Sequence, residues 1–246
     1  MEEWRQVFYH AMNMFNVLIV SYFFLANGTY TVLMVLSLVS VWIHNRRLGY
    51  LTADELRESP VTPPATIIMP AWNEQDVLVE SVRSIMRTDY PNLEIIVVDD
   101  GSTDDSLNRL ITAFRLIKMD LIYRPRLATK SVRGIYVNPR LPNLMVISKE
   151  NGGKPDALNV GINLCRTPYF CTLDADCILE RDALLRLMRP IVKSPDNTVA
   201  SGGIVRILNG CEVQDGKVIS VAMPKGHVER FQVVEYLRSF LFGRTG

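Results

Sequence analysis

Hydrophobic and polar positions divide the chain into three stretches with different rhythms. The 33 residues 11–43 contain no Asp, Glu, Lys or Arg. As a helix they reach roughly 50 Å, against a hydrocarbon core of roughly 30 Å. One long tilted span with an end lying in the interface fits that length better than two spans, which need about 40 residues. Residues 51–64 (LTADELRESPVTPP) are polar and punctuated by proline, as a linker is. From residue 65 onward, short apolar runs alternate with stretches of helical period.

Those runs predict the elements. TIIM (66–69), EIIVV (94–98), DLIYR (120–124), LMVIS (144–148) and YFCTL (169–173) read as strands. Between them, residues 76–87, 104–117, 155–164 and 181–192 carry apolar side chains three and four apart and read as helices. The alternation predicts an α/β domain whose mostly parallel, Rossmann-like sheet is covered by helices on both faces. The basic, proline-bearing segment 124–142 reads as an inserted loop, 201–210 as a further strand, and 212–223 as a hairpin turning at Asp215-Gly216. Residues 228–242 place Phe231, Val234, Leu237, Phe240 and Leu241 at helical spacing. A helix packed into the core is the favoured reading there, with a membrane-lying helix as the alternative. The expected organisation is an N-terminal membrane anchor over 1–50, a linker over 51–64 and one domain over 65–246.

Charge and cysteine usage add the compartment. Trp42 and Tyr50 lie near one boundary of the apolar run. Arg46 and Arg47 place the downstream domain in the cytoplasm, at the cell inner membrane, by the positive-inside bias. A cleaved signal peptide is disfavoured, because the run is too long and no basic segment precedes it. The Asn27-Gly28-Thr29 sequon falls within the membrane segment and reads as a kink or packing site. A net charge of +1 gives no reason to expect a nucleic-acid partner. Cys165, Cys171, Cys177 and Cys211 form no C-x-x-C pair, which points to reduced thiols and not to a disulfide or zinc framework.

The polar residues cluster where strands end. Pro70-Ala71-Trp72-Asn73-Glu74 follows the first strand, Asp99-Asp100-Gly101-Ser102 the second, Asn151-Gly152-Gly153-Lys154 the run at 144–148, and Asp174 and Asp176 the run at 169–173. In open α/β sheets, ligands bind just outside the carboxyl ends of the strands. Neither G-x-G-x-x-G nor G-x-x-x-x-G-K-[ST] occurs, so dinucleotide and P-loop phosphate sites are disfavoured. Gly152 and Gly153 instead lead into a helix N-terminus, where free backbone N–H groups favour an anion, and Lys154 adds a positive charge. Asp174 and Asp176 are hard oxygen ligands of the kind that Mg²⁺ or Mn²⁺ uses together with substrate phosphates. A cation between a D-x-D and a lysine implies a diphosphate, with Asp99 and Asp100 placed to accept hydrogen bonds from a base or ribose.

PAWNE (70–74), VVDDGSTD (97–104), NGGKPDALNVG (151–161) and LDADC (173–177), in that order, resemble glycosyltransferase family 2 of the membrane-bound processive type. The likeness is to bacterial poly-N-acetylglucosamine, cellulose and hyaluronan synthases, over roughly residues 65–210. The resemblance implies a GT-A fold, a UDP-sugar donor, inversion at the anomeric carbon, and a polysaccharide or lipid-linked acceptor. Carried over by position, it has Glu74 and Asp100 holding the uridine, Ala71 and Trp72 lining the base pocket, and Lys154 approaching the diphosphate or ribose. It gives Asp174 and Asp176 the sugar and the metal. The family's E-D or T-E-D general base and its Q-x-x-R-W acceptor motif have no counterpart after Asp176, so no catalytic residue is assigned. Two readings follow. One is a membrane-anchored glycosyltransferase that builds a β-linked polysaccharide, seen whole or as a fragment whose C-terminal part a second polypeptide could supply. The other is a non-catalytic nucleotide-sugar-binding module.

Overall fold

The computed structural model describes residues 1–47, 53–59, 62–123, 125–214 and 217–243. The expectations at Tyr50 and at the Asp215-Gly216 turn fall outside those residues. The chain divides into two units. The first contains helix α1 (Glu2–Arg47), which is unbroken. Its stretch Trp4–Ser40 is long and apolar enough to cross a membrane, and its Phe8, Leu18, Phe24 and Leu36 side chains are exposed. Polar side chains at the sequon turn back on their own helix. Asn27 Nδ2 donates to the Phe23 carbonyl at 2.7 Å, and Thr29 Oγ1 to that of Leu25 at 2.9 Å. A Cβ at Gly28 would meet nothing within 4 Å. The helix runs unbroken through the sequon, and among the described residues nothing packs against Gly28.

The second unit is the sheet domain. It begins with the short helix α2 (Ala53–Glu58), which the linker reading missed; its Leu56 is buried in the domain core. The chain then runs β1 (Ala65–Ala71), α3 (Leu78–Met86), β2 (Leu93–Asp99), α4 (Ser106–Phe114), β3 (Ile117–Met119), β4 (Val132–Asn138) and β5 (Leu141–Lys149). α5 (Lys154–Leu164), β6 (Tyr169–Thr172), α6 (Ala183–Lys193), β7 (Glu212–Gln214) and β8 (Lys217–Ser220) follow. The six-stranded sheet has the order β3-β4-β5-β2-β1-β6. Its central strands β5, β2, β1 and β6 are parallel, and β3 and β4 are antiparallel additions at one edge. This is the mostly parallel α/β architecture that the sequence pattern predicts.

Burial on both faces explains the continuous apolar runs. Ile67 and Met69 of β1, Ile95 and Val97 of β2, and Leu144 and Val146 of β5 pack with Val82, Ile85, Leu184 and Leu185. The alternate residues Ile68, Ile96, Val98 and Ile147 pack on the opposite face with Ala157, Val160 and Leu164 of α5. That helix lies close to the sheet, since a Cβ at Gly161 would stand 2.3 Å from Ile68 Cγ2.

Four expectations change. The segment 124–142 is not simply a loop, because it contains β4, which pairs antiparallel with β5. The strand expected at 120–124 is displaced to Ile117–Met119. Residues 201–208 form no strand; Ile204 and Val205 are exposed and no neighbouring strand pairs with them. The final helix, α7 (His227–Gly243), belongs to the first unit with α1. There the Arg238 guanidinium lies 5.7 Å from the centre of the Tyr30 ring. Val228, Phe231, Val234 and Leu237 of α7 are exposed, so the expected core-packed helix is not observed.

Candidate active site

The parallel strands β1, β2, β5 and β6 all end at one edge of the sheet, and the residues that follow them form a polar rim. Its β2–β5 side is buried. Asp99 is 2% exposed and accepts hydrogen bonds from the Ser102 backbone N–H and the Ser148 hydroxyl, both at 3.2 Å. Asp100 is 3% exposed. Its Oδ1 accepts from Lys149 Nζ at 2.5 Å and from the Gly152 N–H at 3.0 Å, and its Oδ2 from the Gly153 N–H at 2.7 Å. The Asp100 carbonyl accepts from Asn151 Nδ2 at 2.9 Å. Gly101 makes this approach possible: it has φ +71°, and a Cβ there would stand 2.8 Å from the Asn151 nitrogen.

The glycine N–H groups expected to be free for an external anion are therefore donated to Asp100. The nearest carboxylate of the chain fills the role that a ligand was expected to take. A carboxylate offers about four acceptor positions. Among the described residues three donors reach the Asp100 carboxylate, two on Oδ1 and one on Oδ2, which leaves one position on Oδ2.

Lys149 is fully buried and also donates to the Glu150 carbonyl at 2.5 Å and pairs with Asp156 Oδ2 at 2.7 Å. Burial alone pulls its pKa down, but the hydrogen bonds and charges of Asp100 and Asp156 outweigh that and leave it raised. Asp156 is lowered: burial opposes its charge, while Lys149 and the Lys130 backbone N–H favour it more strongly.

The β1–β6 side is open. Ala71 ends β1 in the core, and Trp72 beside it is 55% exposed. Asn73 takes φ +56° and stitches this turn to the one after β2. Its N–H donates to Ser102 Oγ at 3.0 Å, and its Oδ1 accepts from the Thr103 N–H at 2.8 Å. The Glu74 N–H donates to Ser106 Oγ at 3.0 Å, and the Gln75 N–H to Asp104 Oδ2 at 3.1 Å. The Ser106 N–H and hydroxyl donate to Asp104 Oδ1 at 3.0 and 2.6 Å, and these bonds together with that from Gln75 lower Asp104 despite the opposing effect of burial. Glu74 is raised, first by burial and then by the charges of Asp176 and Asp104.

At the end of β6, exposed Asp174 and Asp176 flank buried Ala175. Lys154 Nζ lies 2.5 Å from Asp174 Oδ1, with the two side chains 57% and 54% exposed. Burial and then the two aspartates push the Cys177 thiol up to about 11. All four cysteines are free. Among the described residues, no group of three or more His, Cys, Asp or Glu is placed to hold a metal. Two exposed carboxylates do fit a cation that completes its shell with phosphate oxygens, as Mg²⁺ does.

Of the residues singled out in the sequence, the structure brings Lys154 and Asp174 into contact and leaves Trp72 and Asp176 on the surface. Asp99 and Asp100 lie beneath it. Lys149 and Asp156 were missed. The signal was present: Lys149 ends a strand whose preceding residues are buried on both faces, and a cation at that register needs acidic partners.

A parallel sheet with carboxylates and a lysine gathered at the strand ends defines an α/β domain of the kind that binds a ligand at that edge. Residues 66–126 and 129–226 match the pattern of glycosyl transferase family 2, well over half of the chain, and the chain belongs to that family. It is 26% identical to the poly-beta-1,6-N-acetyl-D-glucosamine synthase of Staphylococcus aureus, over 69% of this chain and 35% of that protein. It is 31% identical to the chondroitin synthase of Escherichia coli, over 50% of this chain and 14% of that protein. The chain thus spans about a third or less of these relatives' length. Among solved structures, it is similar to the mannosyltransferase PcManGT from Pyrobaculum calidifontis in complex with GDP-Man and Mn2+. That likeness has 23% identity and a TM-score of 0.42, over 68% of this chain and 45% of that one.

Proposed function

We propose that the rim binds a UDP-sugar together with Mg²⁺ or Mn²⁺. The chain then serves to transfer the sugar, with inversion at the anomeric carbon, to a growing β-linked polysaccharide or lipid-linked acceptor. The observation that carries this reading is the 2.5 Å contact between Lys154 and Asp174, at the strand ends of a family 2 chain. An exposed ion pair is worth little in water, so both groups are free to change partners at small cost. With a diphosphate present, the ammonium exchanges the carboxylate for a phosphate oxygen and releases Asp174. Asp174 and Asp176 are then the residues that hold cation and sugar. Trp72 and Ala71 line the base pocket, and Glu74, Asp99 and Asp100 serve the base and ribose, with the remaining acceptor position of Asp100 suited to one N–H donor. A bound divalent cation supplies Lewis-acid stabilisation of the departing diphosphate.

Residues 1–50 serve in this proposal as the membrane anchor, with the domain from residue 65 in the cytoplasm at the inner membrane. The apolar length of α1 supports the anchor, and Arg46 and Arg47 support the orientation. Protease added outside spheroplasts should spare the domain, and cleavage within 125–140 from that side would overturn the orientation. Calorimetry tests the donor site. UDP affinity should fall when EDTA is added, and fall similarly in Asp176→Asn. Equally strong binding without metal would remove the role given to the two carboxylates.

A further inference from the structure

A lysine with no exposed surface stands directly behind the rim. Lys149 is the last residue of β5, and its ammonium has three partners: Asp100 at 2.5 Å, Asp156 at 2.7 Å and the Glu150 carbonyl at 2.5 Å. An ammonium has three donors, so none is left for a ligand. Any influence on binding passes through the groups it holds. One of them, Asp100, also binds the N–H groups of Gly152 and Gly153, immediately before Lys154. The other, Asp156, lies in the first turn of α5 and accepts the Lys130 N–H at 3.1 Å. The cluster therefore joins the end of β2, the 151–154 turn and the start of α5.

We propose that Lys149 is a positioning residue for donor binding. It holds the Asp100 carboxylate in place, with one acceptor position left for a nucleoside N–H, and through Asp156 it sets the turn that carries Lys154. This rests on the UDP-sugar reading above. The nucleoside and diphosphate halves of the donor then meet parts of one preset network. A cluster that only held the fold together would leave affinity intact wherever the fold survives.

The test uses the full chain and measures uridine and UDP binding by calorimetry, with circular dichroism as the check on folding. Lys149→Met strands two carboxylates, so Lys149→Met/Asp156→Asn is measured beside it to relieve one of them. In the folded variants, uridine and UDP should each weaken about tenfold or more, the loss of a well-placed charged acceptor. Lys154→Ala should weaken UDP and spare uridine. A folded double variant that binds uridine like the wild type overturns the proposal.

Hydrogen exchange on the unaltered protein gives a second readout that needs no variant to fold. Uridine should slow exchange at the Gly152 and Gly153 amides, and unchanged exchange during demonstrable binding also overturns the proposal. An unaltered chain that binds neither uridine nor UDP sinks the donor reading and this role with it. Normal binding by both folded variants sinks the positioning role alone.

Discussion

On the β2–β5 side of the rim, Lys149, Asp99 and Asp100 are 0%, 2% and 3% exposed and every one is hydrogen-bonded. On the β1–β6 side, Trp72 is 55% exposed, and Lys154 and Asp174 form an ion pair with more than half of each side chain in solvent. The same residue types thus do two different jobs. Buried charges hold their geometry before any ligand arrives, and removing one partner leaves the other stranded. Exposed charges contribute little to the fold and are free to re-pair. The buried side sets where the turns lie, and the open side is where a ligand can exchange contacts. Substitutions on the two sides should therefore separate stability from binding.

The largest effect belongs to Lys149. Lys149→Met should destabilise the domain by about 3–5 kcal/mol, the usual loss when one member of a buried pair is removed. Urea unfolding measures it. A loss no greater than that of Lys154→Ala would erase the distinction between the two sides.

Next comes the backbone beneath the buried cluster. Gly101→Ala puts a Cβ 2.8 Å from the Asn151 nitrogen at a residue with φ +71°. Backbone has to move, so a loss of roughly 1–3 kcal/mol is expected, as for other overpacked sites. Gly153 also has positive φ, but its Cβ would come no closer than 3.9 Å to Pro155 Cδ. Gly153→Ala should therefore cost less than Gly101→Ala, and the reverse order in urea unfolding would contradict the packing described.

The pH dependence sharpens the same contrast. Asp156 is depressed below its ordinary 3.8 and Lys149 raised above its ordinary 10.5. The folded state binds the Asp156 proton less tightly than the unfolded state, so its contribution is full above 3.8 and is lost as pH falls through the folded value. For Lys149 the sign reverses: its contribution is full below 10.5 and is lost as pH rises through the folded value. The stability gap between the unaltered protein and Lys149→Met/Asp156→Asn should be widest between those limits and narrow outside both. A gap independent of pH would mean that the pair contributes nothing.

The sequence was most legible where one physical rule acted alone. β1, β2 and β5 were readable because burial on both faces forces unbroken apolar runs such as EIIVV, and β6 kept a readable apolar run although Phe170 is exposed. β4 was missed because an antiparallel strand near the edge can keep Arg133 exposed while burying Ile135, which weakens the apolar signal. The apolar residues of 201–210 looked like a strand, but a strand needs a neighbour, and only the fold reveals that none pairs with it. In the site, the four motifs marked the rim and paired Lys154 with the D-x-D. The capture of the Gly152 and Gly153 N–H groups by Asp100 was not readable, since it depends on how β2 and the 151–154 turn meet in space. The partners of Lys149 were hidden for the same reason, although its place at the end of a buried strand called for acidic ones.

The smallest effect on stability, and the one that most directly tests the open side, is that of Lys154→Ala. Its ion pair with Asp174 is more than half exposed on both sides, and such pairs contribute about 0–1 kcal/mol. Urea unfolding should register no more than that. Binding should respond differently, because the proposed partner of the ammonium is a phosphate oxygen that only the ligand supplies. UDP affinity should drop about tenfold or more, the usual size of one charge-assisted contact, while uridine affinity stays unchanged. Asp174→Asn removes the other half of the same exposed pair, so its stability loss should be equally slight. Its UDP affinity should become insensitive to EDTA, because its proposed partner is the cation. If Lys154→Ala weakens uridine as much as UDP, or destabilises the fold as Lys149→Met does, the lysine belongs to the structural side of the rim and the contrast between the two sides fails.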